Sequence, residues 1–192
     1  MNKTLIATAA LASIAFTGLA QAQSATYNAD PTHTFVTFEA KHFGTSTLRG
    51  RFDKKEGTVS FDSAAKTGKA EFTIDTTSVS TGVGPLDGHL KSKDFFNAAE
   101  FPTAKFVGDK FTFDGNKVAS VAGTLTMLGK TLPATLNATH FNCYDHPMLK
   151  REVCGGDFET TIQRSQWGMD YGVKMGLPDS IRLLVQIEAV KQ

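Results

Sequence analysis

Histidines, cysteines and a few carboxylates are the side chains of this sequence that could carry chemistry. The histidines are His33, His42, His89, His140 and His146. None stands at a close metal-ligand spacing from another. The nearest two, His140 and His146, lie in a loop-like stretch, so no metal site is expected. His33 follows Asp30-Pro31 at the start of an alternating run, where a hydrogen-bonded turn residue is the simpler role. His42 closes a run whose inward set is Val36, Phe38 and Ala40, so parity turns it inward too. A ring that polar in an apolar interior needs a partner, either a neighbouring side chain or a ligand head group. His89, beside Leu90, admits the same two roles. Asp87, Asp94 and Glu100 show no pairing that marks acid–base catalysis. G-x-S-x-G, H-E-x-x-H and P-loop motifs are all lacking. Gly82-Val83-Gly84 is only a fragment of a dinucleotide fingerprint. The expectation is a chain that is not an enzyme and uses no cofactor.

The remaining reactive pair is Cys143 and Cys154, with ten residues between them. How it is read depends on compartment. Lys3, the apolar stretch Leu5 to Ala15 and Ala20-Gln21-Ala22 follow the order of a secretory signal, with cleavage after Ala22. The apolar stretch falls short of the roughly 20 residues that span a bilayer. Residues 23–192 are then one exported domain. In an oxidising compartment the cysteines are expected to form a structural disulfide, which contributes about 3 kcal/mol for so short a loop. The spacing does not fit a C-x-x-C dithiol. Twenty Lys and Arg face 19 Asp and Glu, and loss of the signal removes Lys3 and no acid. The neutral remainder has no basic field for nucleic acid and no polybasic run for anionic membranes.

The elements that would position these residues are short alternating runs. They include Thr34 to Ala40, Leu48 with Phe52, Val59 with Phe61, Phe72 with Ile74, Phe106, Phe111 with Phe113, Val118 to Thr126, Leu132 to Thr139, Phe158 to Arg164 and Ile181 to Val190. Period two with Thr, Val and Phe marks half-buried strands. Asp114-Gly115-Asn116 and Leu128-Gly129-Lys130 are turn signals. The result is all-β, a sandwich or closed antiparallel barrel. One stretch, residues 85–99, breaks the rhythm, and Leu86 and Leu90 one turn apart suggest a short helix over the barrel. Fifteen Phe against three Tyr and one Trp fit either a filled core or a cavity lined by rings. Alternation is the same for both.

Several segments together resemble the YceI-like family of bacterial polyisoprenoid-binding periplasmic proteins. They are Asp30-Pro31-Thr32-His33-Thr34, His42-Phe43-Gly44, Gly50-Arg51-Phe52 and Thr77 to Thr81. The most specific is Asp87-Gly88-His89-Leu90-Lys91-Ser92-Lys93-Asp94-Phe95-Phe96-Asn97, followed by Phe101-Pro102-Thr103-Ala104-Lys105-Phe106. Gly123 to Thr126 and Ser165 to Met169 complete the set. The resemblance implies a lipocalin-like barrel of about eight strands around an apolar tunnel, holding a long-chain isoprenoid lipid, an isoprenoid quinone or a related amphiphile. Alternation makes Val36, Phe38, Leu48, Phe52, Phe61, Phe72 and Phe106 candidate lining residues. Leu90, Phe95 and Phe96 would cover one end, and His42 and His89 would stand near a head group. Relatives often carry Arg where this chain has Leu86, which removes one head-group contact. A homodimer is compatible with such a fold, stable membrane insertion is not expected, and the competing function is a secreted stress or interaction protein with a filled barrel.

Overall fold

The computed structural model describes residues 24–192. The expected signal segment lies outside the described residues. Eight long antiparallel strands run up and down and close on themselves. Three of the eight are broken by kinks, so the segments are β1 (Ala25–Ala29), β2 (Phe35–His42), β3 (Ser46–Phe52), β4 (Lys55–Asp62), β5 (Thr67–Asp75), β6 (Val79–Ser80), β7 (Thr103–Asp114), β8 (Lys117–Met127), β9 (Lys130–Asp145), β10 (Glu152–Gln163) and β11 (Ser180–Lys191). β1 and β2 are two halves of one strand, and both pair with β11. β3 and β4 repeat the arrangement against them, and β5 and β6 against β4 and β3. The β1–β11 pairing closes the barrel. The expected all-β, lipocalin-like barrel with one short helix is the fold of this chain.

The kink between β1 and β2 is held by side chains with few alternatives. Asp30 accepts hydrogen bonds from the Thr32 backbone N–H and hydroxyl at 2.8 and 2.6 Å, and its other oxygen meets His33 Nδ1 at 2.7 Å. His33 is thus the turn residue expected of it. Thr34, fully buried, donates its hydroxyl to the Glu188 carbonyl and accepts from the Glu188 N–H. The His33 bond, with Thr32 second, pulls the Asp30 carboxyl down to about 2. A depressed carboxylate stabilises the fold above its unfolded pKa of about 3.9, and that contribution fades as pH falls toward the folded value. Urea midpoints should therefore decline below about pH 4, and Asp30→Asn should flatten part of that decline. An unchanged profile in the variant would show that the turn adds nothing to acid stability.

Strand parity decides what faces the interior. On β2 it is Val36, Phe38, Ala40 and His42; on β11 it is Ile181, Leu183, Val185, Ile187 and Ala189. The inward position opposite Phe38 is Gly50. A Cβ there would collide with the Phe38 ring, so the bare glycine is what lets the ring lie across β3. The outer wall is charged. Glu71 bridges Lys69 and Lys105 at 2.8 and 2.9 Å, and these ammoniums hold its carboxyl at about 2. Glu39 likewise bridges Arg49 and Arg182. An apolar inside with a charged outside is the reverse of a lipid-embedded barrel. No helix among the described residues is long and apolar enough to cross a membrane.

The helix, α1, spans Gly84–Lys91 and is shorter than the expected 85–99. Pro85 fits its first turn, and Asp87 ties it back by accepting from the Thr81 N–H and hydroxyl. Ser92 ends it with extended backbone, and Phe95 to Ala98 continue as turns bonded to Leu90, Lys91 and Ser92 carbonyls. The extended backbone of Ser92 breaks the helix, and Asn97 at φ 42° lies outside helical geometry further on.

Candidate functional site

The barrel is hollow. A cavity of about 370 Å³ runs inside it, with few polar atoms on its wall. Engineered core voids of ~150 Å³ already stay dry and take up benzene, so this space is large for a defect. The filled barrel is thereby excluded. No buried side-chain nitrogen or oxygen lacks a partner among the described residues, so the wall itself makes no demand for water.

The far end is floored by rings. Tyr27 stacks on Phe61 with centroids 5.1 Å apart, and Phe61 meets Phe141 edge-on at 5.9 Å. The Tyr27 hydroxyl donates to Glu152 at 2.5 Å, and burial raises its pKa, with the Glu152 bond second. Cys143 and Cys154 form the expected disulfide, S–S 2.02 Å, and Cys154 faces the cavity. It joins directly paired positions of β9 and β10 at this end.

The opposite end is built from α1, the β2–β3 hairpin and the strap 164–179 that links β10 to β11. Leu90 is buried against Val36, Phe38, Phe52 and Val79, with Leu86, Phe95 and Phe96 packed beside it. Phe96 meets Phe52 edge-on at 5.3 Å. His89 bonds Asp94 at 2.9 Å and lies edge-on to Phe95 and Tyr171 at 4.9 and 5.1 Å. His42 is exposed and rests against Phe43. Both histidines line the cavity at this rim. Arg164 is buried beneath it and donates to the carbonyls of Pro178, Met169 and Tyr171 at 2.8, 2.7 and 2.9 Å. Its guanidinium sits over Phe95 at 5.6 Å. Burial pushes its pKa down, opposed by Asp179 and Asp170, though a guanidinium stays charged.

Every residue expected to bind ligand lies on the cavity wall: Val36, Phe38, His42, Leu48, Phe52, Phe61, Phe72, His89, Leu90, Phe95, Phe96 and Phe106. Leu86 lines it too. Sequence reasoning missed the second half of the wall: Phe111, Val118, Val121, Leu136, Phe141, Phe158 and Ile162, together with Arg164 and Tyr171. No cluster of three or more potential metal ligands occurs among the described residues.

The family model described as the YceI-like domain matches residues 27–189. The chain belongs to the YceI-like family. This YceI-like chain is 34% identical over 198 residues to a UPF0312 protein of Pseudomonas aeruginosa, covering both chains in full. It is 34% identical over 164 residues to Protein YceI of Escherichia coli O157:H7, covering 83% of each. The crystal structure of the Campylobacter jejuni YceI protein is 28% identical, with TM-score 0.68 over 79% of this chain and 90% of that one. A polyisoprenoid binding domain from Saccharophagus degradans shares the fold at TM-score 0.62 and 16% identity, over 86% and 98%.

Proposed function

We propose that this YceI-like chain is exported to the periplasm, loses residues 1–22 and sequesters the tail of a long-chain isoprenoid lipid or isoprenoid quinone inside its barrel. The observation that carries the proposal is the apolar cavity of about 370 Å³, closed by aromatic rings at one end and rimmed by His42 and His89 at the other. An isoprenoid tail forms almost no hydrogen bonds, so burial must supply its affinity. At about 25 cal/mol per Å², each ~100 Å² of tail removed from water contributes about 2.5 kcal/mol, less the cost of ordering it. The twelve side chains named above form the binding wall, with the head group between His42 and His89. The polyisoprenoid binding named for the Saccharophagus degradans domain of the same fold supports this ligand class.

Binding without turnover is part of the proposal, since His89 is already engaged by Asp94 and burial of an apolar tail needs no reacting group. The test is organic extraction of the chain purified from the periplasm, followed by mass spectrometry. An isoprenoid lipid or quinone at near-stoichiometric yield is the expected result. A lipid-free chain that also fails to bind added isoprenoid quinone would overturn the proposal.

A further inference from the structure

One seam of the barrel is unpaired at the α1 end. β9 and β10 are in register from Asp145↔Glu152 to Asn137↔Glu159, with Thr139 bulged out between Asp157 and Phe158. Beyond that the ladder stops, although both strands continue. β9 runs on to Lys130 paired only with β8, and β10 runs on to Gln163 paired only with β11. A groove of about 600 Å³ fills the gap on the outside. Ala134, Thr160 and Ile162 border both this groove and the inner cavity. The outer and inner spaces are thus separated there by one layer of side chains.

The residues at the seam suit an opening rather than a wall. Pro133 pairs in register with Thr124 without a bulge, as expected where its missing N–H faces the gap instead of β8. That blunts the free edge against addition of a foreign strand. Trp167, from the strap that follows β10, borders the groove, is buried in a cluster with Ala104, Met127, Ile162 and Met169, and donates its Nε1 to the Leu125 carbonyl at 3.0 Å. The long ladders on either side, β8–β9 and β10–β11, stay paired to the strand ends. Parting this one, over residues 130–136 and 160–163, breaks side-chain contacts alone.

We infer that the β9–β10 seam is a lateral gate through which the apolar ligand enters and leaves the barrel, with Trp167 as its plug. This rests on the carrier function proposed above. It deepens that function by placing the path in the side wall, so that a tail can slide in lengthwise without threading past the His89, Phe95 and Tyr171 rings at the rim.

The experiment bridges the gate. Thr135 and Thr161 are exposed residues on opposite sides of the groove. In Thr135→Cys/Thr161→Cys a short bis-maleimide links the strands, with the native disulfide left oxidised. The control link, Thr126→Cys/Thr131→Cys, spans a paired position of β8 and β9. Stopped-flow fluorescence with N-phenyl-1-naphthylamine reads uptake and release. The seam link should slow both by about tenfold or more with little change in equilibrium affinity, while singly labelled chains and the control link match the parent. Equal rates in seam-linked and control-linked chains would overturn the gate while leaving the carrier function intact. A parent chain that binds neither this probe nor an isoprenoid quinone would instead remove the carrier function beneath it.

Discussion

Arg164→Met should destabilise the barrel by about 3–5 kcal/mol and loosen the strap 164–179. The native guanidinium is buried and gives three hydrogen bonds to carbonyls at positions 169, 171 and 178. Methionine fills similar space and offers no donor. Each carbonyl left unpaired and shielded costs about 1–3 kcal/mol, and partial rehydration as the strap moves outward returns some of that. For a domain of this length the loss corresponds to a fall in Tm of roughly 10–15 °C. Arg164→Lys should recover only a minor part, because one ammonium cannot span three diverging acceptors as a planar fork does. Thermal unfolding measures the magnitude, and amide hydrogen exchange across 164–179 locates it. A Met variant within about 1 kcal/mol of the parent would show that the strap is held without the guanidinium, by contacts such as the Ser165 N–H and hydroxyl donating to Asp179 at 2.8 and 2.7 Å and the Trp167 bond to Leu125.

The same arginine marks a limit of sequence reasoning. Parity along β10 places position 164 inward after Phe158, Thr160 and Ile162, but the type argues for the surface, since Arg is rarely buried without partners. Those partners are backbone carbonyls of a strap whose three left-handed glycines, 168, 172 and 176, fold it back over the residue. A list of side chains does not reveal such acceptors. On the first strands the interior was readable because alternation runs unbroken through Val36, Phe38, Ala40 and His42. On β7, β8 and β9 it was not. Extra residues at Asp109, Ala119 and Thr139 each shift the inward face by one, taking it from Phe106 to Phe111, from Val118 to Val121 and from Leu136 to Phe141. A bulge leaves no compositional signature, so the second half of the wall and the open seam could be found only from strand register. The hollow itself was equally hidden, because filled and empty barrels share one pattern.

That ambiguity gives the remaining prediction its leverage, because filling an empty space and overpacking a full one have opposite signs. Ala70 faces the cavity near the Tyr27 floor, and Ala104 faces it near Ile162 and Met127 toward α1. In a packed core, alanine to phenylalanine forces neighbours off their rotamers and costs about 1–3 kcal/mol. Here the new ring enters vacant apolar volume, where each Å³ filled is worth roughly 24 cal/mol. Ala70→Phe and Ala104→Phe should therefore leave the urea midpoint unchanged or raise it. Each should weaken binding of N-phenyl-1-naphthylamine or an isoprenoid quinone by about tenfold or more, since apolar contact is the source of affinity. The paired variant should bind neither. Opposite movement of stability and affinity is what a preformed vacancy demands of its lining. If both substitutions destabilise by more than about 1 kcal/mol while ligand retention is untouched, the space inside the barrel is not where the ligand sits.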